Sequence, residues 1–208
     1  MMFAAFALTV SIVNAGPISF FGVDPGANST DPRPTSNSAA ASFDAAASHL
    51  GVLQIITFES APLGVPASNL QIAPGVFLSG TEPISGVIGS PSPPSGPVAP
   101  IFGYNATIGG DKYVITFGGA LTLRFDSPIL GFGAYVTGLQ FNGETITFND
   151  GSSRTIDIPN PGDGGGVAFV GFTDTGTSIS SITLTFGTPG GRRRHRGNRR
   201  RPHAVYYP

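Results

Sequence analysis

The chain holds few residues of the types that carry out catalysis. It has no cysteine, which excludes thiolate catalysis, disulfide bonds and cysteine-bound metals. Two of its three histidines lie after residue 191, and the third, His49, ends an alanine-rich stretch. A Ser-His-Asp relay therefore has one weak candidate. His49 is better interpreted as a helix-end residue favoured by the helix dipole.

Carboxylates offer a second route to chemistry, because a glycosidase needs two of them facing each other. The acids considered are Glu59, Glu82, Asp111, Asp126 and Glu144. Most stand beside turn residues, where a carboxylate is usually solvated or accepts a backbone N–H. The glycine-rich run 162–166 has no Lys or Ser/Thr at the phosphate-loop position and no helix after it. The sequence predicts no enzyme.

Alternating apolar and polar residues dominate residues 120–186. A period of two puts successive side chains on opposite faces of a strand. The alternation runs through Leu121, Leu123 and Phe125, through Ile146 and Phe148, through Ile156 and Ile158, and through Ile179, Ile182, Leu184 and Phe186. Asn-Gly, Asp-Gly and Asn-Pro-Gly-Asp turns separate these segments. No long repeat is visible, so the pattern predicts an antiparallel sandwich or barrel.

The N-terminal third predicts export and one helix. An apolar run ends in Val13-Asn14-Ala15, which is typical of a signal peptide over residues 1–15, although a basic n-region is missing. The alternative is a buried first strand, and the run is too short for a transmembrane span. Residues 16–38 are predicted as a linker and residues 39–188 as the folded domain. The domain begins with an alanine-rich helix over Ala39 to Leu50, and Val52 to Phe58 then opens the sheet.

Charge separates the C-terminus from the rest. Before Gly191 the chain has 12 acidic and four basic residues, a net charge of −8, whereas the last 17 residues carry seven arginines. Residues 189–208 are predicted as a disordered Arg-rich tail, and such a run binds phosphate backbones or anionic lipid. The alternative is a shifted reading frame, since a one-base shift turns CGN arginine codons into codons for Asp, Gly, Val or Ala.

Short motifs resemble exported bacterial proteins of the PEP-CTERM group, which have a β-sandwich ectodomain. They are Thr57-Phe58-Glu59, Leu121-Thr122-Leu123-Arg124-Phe125, Phe132-Gly133-Ala134-Tyr135, Ile146-Thr147-Phe148-Asn149-Asp150-Gly151, Phe169-Val170-Gly171-Phe172-Thr173-Asp174 and Ile179-Ser180-Ser181-Ile182-Thr183. The resemblance covers about residues 43–187. The Pro-Glu-Pro anchor motif and the C-terminal hydrophobic span of that group are absent from this chain, so no transmembrane anchor is expected in it.

The resemblance implies a jelly-roll-like β-sandwich that is secreted or lies at the cell surface. Carbohydrate-binding jelly rolls often hold a structural Ca²⁺ between an early Glu and a late Asp. By this resemblance Glu59 is the one candidate metal ligand, and the late aspartates would be those lost to a shifted reading frame. No other cofactor is expected. We expect a non-catalytic module that binds extracellular polysaccharide or has a structural role, and Tyr104, Tyr113 or Tyr135 exposed on one concave face would support it. The alternatives are a secreted polysaccharide hydrolase and nucleic-acid binding through the tail, although no specific nucleic-acid partner is expected.

Overall fold

The computed structural model describes residues 17–64, 67–81, 87–89, 103–107, 111–116, 119–138, 145–149, 154–157 and 165–186. For residues 87, 145–149 and 154–157 it describes the backbone alone. The predicted signal peptide (1–15) and Arg-rich tail (189–208) lie outside the described residues.

The described part of the chain is mostly β-strand, with one helix near its N-terminal end. No helix in the described part of the chain combines the length and the apolar character that crossing a bilayer requires. These elements confirm the predicted all-β class with a single alanine-rich helix. In chain order they are β1 (Ile18–Pro25), α1 (Pro34–Ser48), β2 (Leu70–Ala73), β3 (Val76–Gly80), β4 (Val87–Gly89), β5 (Tyr113–Ile115), β6 (Gly119–Ile129), β7 (Gly131–Thr137), β8 (Thr145–Asn149), β9 (Arg154–Asp157), β10 (Gly166–Thr173) and β11 (Ile179–Phe186).

The strands form antiparallel sheets of six, three and two strands. The order is β2-β3-β6-β11-β8-β9 in the first, β1-β10-β7 in the second and β4-β5 in the third. The strand β10 pairs with β1 on one side and β7 on the other. The N-terminal strand therefore joins the same sheet as a strand from near the end of the domain.

One buried cluster joins the two larger sheets face to face, as in a β-sandwich. Val170 and Phe172 of β10 share it with Leu78 of β3, Leu123 of β6 and Ile182 of β11. Alternate residues of β6 and β11 enter this core, which is the period of two that the sequence predicts. The strand β10 is buried along its whole length, because α1 covers its other face.

Phe43 of α1 packs into a hollow on the outer face of the three-stranded sheet. An ideal Cβ placed on Gly133 would come within 2.9 Å of the Phe43 ring. The rings of Phe20 and Phe169 flank Phe43, with centroid distances of 5.8 and 5.7 Å. Because glycine has no side chain, α1 can approach the sheet closely at this point. We call this hollow the glycine socket, and its floor is formed by Gly131, Gly133 and Gly171.

Asp24, at the end of β1, caps the N-terminus of α1 from outside the helix. Its carboxylate accepts the backbone N–H groups of Thr35 (3.0 Å) and Ser36 (2.8 Å), and the Ser36 hydroxyl at 2.7 Å. Helix N-termini leave such N–H groups without an intrahelical partner. Burial raises the pKa of Asp24, but the hydrogen bonds from Ser36 and Thr35 together lower it by more, so the net pKa lies below its usual value.

The structure differs from the predicted linker over residues 16–38. Those residues contain β1 and the first turn of α1, which begins at Pro34 rather than Ala39. Ser36 and Asn37, whose side chains could cap a helix that starts near Ala39, lie inside the helix. Proline is favoured in the first turn because its missing N–H is not needed there, and the distant Asp24 supplies the cap.

The sequence predicts that Val52 to Phe58 opens the sheet, because the segment is rich in apolar and β-branched residues. The structure shows no strand over these residues. The segment has no strand partner in the described residues. The next two strands, β2 and β3, form a hairpin that turns at Gly75, where φ is +71°. Glycine adopts that conformation without steric cost.

Candidate functional site

The outward face of the six-stranded sheet carries a row of polar side chains. Alternation buries Leu78, Leu123 and Ile182 in the core, so their neighbours along each strand point the other way. We call this surface the hydroxyl face. Its side chains described by the structure are Phe77, Ser79, Thr122, Arg124, Asp126, Ser181, Thr183 and Thr185.

Hydroxyl residues of neighbouring strands stand side by side on this face. Ser79 of β3 pairs with Thr122 of β6, and Thr122 pairs with Thr183 of β11. The Thr122 and Thr183 hydroxyl oxygens are 3.1 Å apart and share a hydrogen bond. The backbone register continues this row to Thr147 of β8 and Thr155 of β9. Five adjacent strands therefore carry Ser or Thr at one level of the sheet.

Arg124 lies next to this row and is held by two contacts. Its guanidinium lies over the ring of Phe77, 4.3 Å from the centroid, and its Nη1 donates to Asp126 Oδ1 at 2.7 Å. Both charged side chains are about half exposed, at 49% and 54%, so the ion pair adds little stability. The guanidinium has five N–H donors, and the described contacts use Nη1. Arg124 is thus oriented and still accessible to a ligand.

Glu59, the predicted calcium ligand, ties two loops together. Its Oε1 accepts the backbone N–H groups of Asp111 and Lys112, both at 2.8 Å. The Lys112 ammonium donates to the backbone oxygens of Glu59 (2.7 Å) and Ala61 (2.8 Å). Within the described residues no group of three His, Asp or Glu side chains gathers at a point. Calcium binding at Glu59 stays a prediction.

The other acids are spread over the molecule. Asp126 pairs with Arg124, and Asp111 is exposed beside the Glu59 loop. Glu82 and Glu144 lie outside the described residues.

His49 follows the last turn of α1, where its backbone N–H bonds to Ala46. This is the helix-end position that the sequence predicts. The side chain is exposed, and no hydrogen bond links it to a described serine or acid. The geometry of a catalytic relay is therefore not seen around His49.

The three tyrosines do not form a shared exposed surface. Tyr104 is buried and donates its hydroxyl to the backbone oxygen of Ala27 at 2.9 Å. Tyr135 packs edge-on against Phe169 and donates to Asn37 Oδ1 at 3.0 Å. Tyr113 is half-buried beside a different sheet, and burial raises the pKa of all three phenols. The support that tyrosines exposed on one concave face would give to sugar binding is therefore not found at these three residues.

A shallow groove of about 530 Å³ lies between the edge of β1 and α1. Its lining mixes the aromatic rings of β1 with the hydroxyls of α1. The groove is open and has no charged lining residue, so it offers no group for acid–base chemistry. Its lining residues are Ser19, Phe20, Phe21, Pro34, Thr35, Ser38, Ala39 and Ser42.

The hydroxyl face has a sequence signature that motif analysis passed over. In Leu121-Thr122-Leu123-Arg124-Phe125-Asp126 the apolar residues enter the core, so Thr122, Arg124 and Asp126 share the outward face. The pairing of Arg124 with Phe77 depends on the register between β3 and β6, which alternation alone does not give. Comparisons with protein families, curated proteins and solved structures find no match to this chain.

Proposed function

We propose that this protein is a non-catalytic, secreted or cell-surface module that binds extracellular polysaccharide on its hydroxyl face. The observation that carries the proposal is the row of Ser79, Thr122 and Thr183, with the Phe77–Arg124 stack beside it. We also propose that the strands are connected as in a jelly roll and that the protein is of the PEP-CTERM type. The resemblance of the sequence motifs supports both.

The chemistry of the face suits a sugar chain. Serine and threonine hydroxyls donate and accept hydrogen bonds, as sugar hydroxyls do, and an arginine offers several donors in one plane. The ring of Phe77 adds an apolar surface next to these groups. Because the polar groups lie in a row across strands about 4.8 Å apart, a chain laid across the sheet meets one hydroxyl per strand.

Direct binding measurements test the proposal. On a panel of neutral and acidic polysaccharides, we expect at least one to slow the purified domain in affinity electrophoresis and to retain it in a pull-down. The variants Arg124→Ala and Thr122→Val/Thr183→Val remove the central donors and should weaken retention by about tenfold or more, since each lost hydrogen bond is worth about 1 kcal/mol.

A matched control removes a hydroxyl elsewhere. Ser42→Ala deletes an exposed serine hydroxyl of α1, which bonds to the Ser38 carbonyl at 2.9 Å, and should leave retention unchanged. No retention of the folded wild-type domain on any polysaccharide would end the proposal. If Ser42→Ala weakened retention as much as the variants on the hydroxyl face, that face would not be the binding surface. Mapping the mature N-terminus to Gly16 tests export separately.

A further inference from the structure

Arg124 is held at a fixed point of the hydroxyl face, between side chains of both neighbouring strands. The strand β6 lies inside the six-stranded sheet, with β3 on one side and β11 on the other. Across these strands Arg124 pairs with Phe77 and with Ser181, and its guanidinium lies 4.3 Å from the centre of the Phe77 ring. Among the described side chains of this face, Arg124 carries the one positive charge.

The row of Ser79, Thr122 and Thr183 runs directly beside this arginine. Thr122 and Arg124 are two residues apart on β6 and point to the same face, so their Cα atoms are about 7 Å apart. A polysaccharide that lies along the row, across the strands, therefore has the guanidinium at its flank. Substituents on that side of the sugar chain come within reach of the arginine side chain.

The guanidinium already holds one carboxylate and has further donors. Nη1 donates to Asp126 Oδ1 at 2.7 Å, whereas a guanidinium has five N–H donors. Asp126 lies on the side of Arg124 away from Thr122, beside the turn where its backbone N–H bonds to Gly75 at 2.9 Å. Because guanidinium groups bind anionic oxygens in pairs, a second anionic group can approach Arg124 from the side of the hydroxyl row.

The Arg124–Asp126 pair is a weak competitor for such a ligand. Both side chains are about half exposed, and exposed ion pairs contribute little free energy because water screens them. The fold therefore loses little stability when Arg124 turns some of its donors toward a ligand. A side chain that already lies over an aromatic ring also loses less conformational freedom on binding than a free one. The contacts of Arg124 orient it without using all its donors.

We propose that the ligand of the hydroxyl face is an acidic polysaccharide and that Arg124 binds its anionic substituent. The inference rests on the proposed function and narrows the class of sugar chain. The hydroxyl row binds sugar hydroxyls, whereas Arg124 selects chains that carry a carboxylate, as in uronic acids, or a sulfate ester. Both groups offer several anionic oxygens to one guanidinium.

Binding to matched pairs of polysaccharides tests this selection. Each pair is an acidic chain (polygalacturonate, alginate or hyaluronan) and the same chain with its carboxyl groups reduced to alcohols. Calorimetric titration of the full chain should show about tenfold tighter binding of at least one acidic form, since hydrogen bonds between charged partners are the stronger ones. Arg124→Gln removes the charge but keeps an amide donor. It should bind both forms about as the wild type binds the reduced form.

The matched control on the same face is Thr122→Val/Thr183→Val. It removes uncharged donors, so it should weaken the binding of both forms by a similar factor and leave the preference for the acidic form unchanged.

Asp126→Asn removes the competing negative charge, while its amide oxygen can still accept from Nη1. It should tighten the binding of the acidic form a few-fold and leave the reduced form unaffected. A fall in affinity for the acidic form would count against an anionic ligand at Arg124. Because both residues are half exposed, these variants are expected to fold, and circular dichroism checks it.

Equal affinity of the wild type for the acidic and reduced forms would overturn the inference, as would a preference that persists in Arg124→Gln. Binding through the arginines of residues 189–208 would give the second result. In both cases polysaccharide binding itself would stand, whereas no binding of any chain would end both proposals. Sulfation of the reduced chains distinguishes the two anions. Restored, Arg124-dependent binding would extend the ligand class to sulfate esters, and no restoration would restrict it to carboxylates.

Discussion

At the scale of single residues, the side chains available for chemistry serve mainly to hold the fold. Asp24 caps α1, and Glu59 ties its own loop to the loop at Lys112. Arg124 is the exception, because a half-exposed ion pair contributes little to stability. Its guanidinium lies over Phe77 on the outward face of the sheet, in the middle of the proposed binding surface.

The cap at Asp24 predicts a specific dependence of stability on pH. The folded-state pKa of Asp24 is lowered, so its stabilising effect is complete above the unfolded pKa and is lost as pH falls through the folded value. Asp24→Asn should cost about 1–2 kcal/mol at neutral pH, typical of a lost N-cap. The difference from wild type should shrink in acid. Thermal melts from pH 7 to pH 2 measure both effects.

The control for this experiment is Asp44→Asn, which changes an exposed acid within the same helix. It should leave the melting temperature nearly unchanged at neutral pH. If Asp24→Asn were as stable as wild type at pH 7, the cap would not contribute to folding.

At the scale of elements, alternation predicted the strands that have one face in the core and one in solvent. The strands β6 and β11 follow that rule, so their inward residues were identified from sequence. The strand β10 is buried on both faces, and its sequence GVAFVGFT gives no alternation. The sequence did not predict β1, because Gly22 and Asp24 interrupt its apolar pattern. Both residues are explained by the packing of α1 against β1, which the sequence alone does not show. The hydroxyl face was missed because its residues come together through register.

The docking of α1 gives a prediction at this scale. Gly133→Ala would place its Cβ within 2.7 Å of the Phe169 ring and 2.9 Å of the Phe43 ring. Overpacking of this kind costs about 1–3 kcal/mol, so chemical denaturation should show a lower free energy of unfolding. Gly51→Ala is the control, since nothing lies within 4 Å of the added Cβ. Equal stability of the two variants would show that α1 tolerates displacement from the sheet.

At the scale of the whole molecule, the residues before Gly191 carry a net charge of −8, and the tail after it carries seven arginines. Arginine side chains cannot pair as an inner strand without burying charge. The tail is therefore expected to lie outside the fold, whether it is native or arises from a shifted frame. If it is native, binding to DNA or RNA should fall steeply as salt rises.

Truncation tests this expectation. Deleting residues 190–208 should leave the melting temperature almost unchanged, and restoring a shifted frame should raise it. Calorimetry of the truncated and full-length chains makes the comparison. A loss of several kcal/mol on deletion would show that the tail belongs to the folded domain.

The pairing of β1 with β10 has a consequence for the timing of folding. Ile18 pairs with Thr173, so the first strand has no partner until nearly the whole domain has been synthesised. Contacts this distant in sequence slow folding, since the chain must close a long loop before it gains any stabilising contact. The three-stranded sheet therefore cannot form until most of the domain has been synthesised. If the protein is secreted as proposed, this order of events leaves the chain able to cross a membrane before that sheet forms.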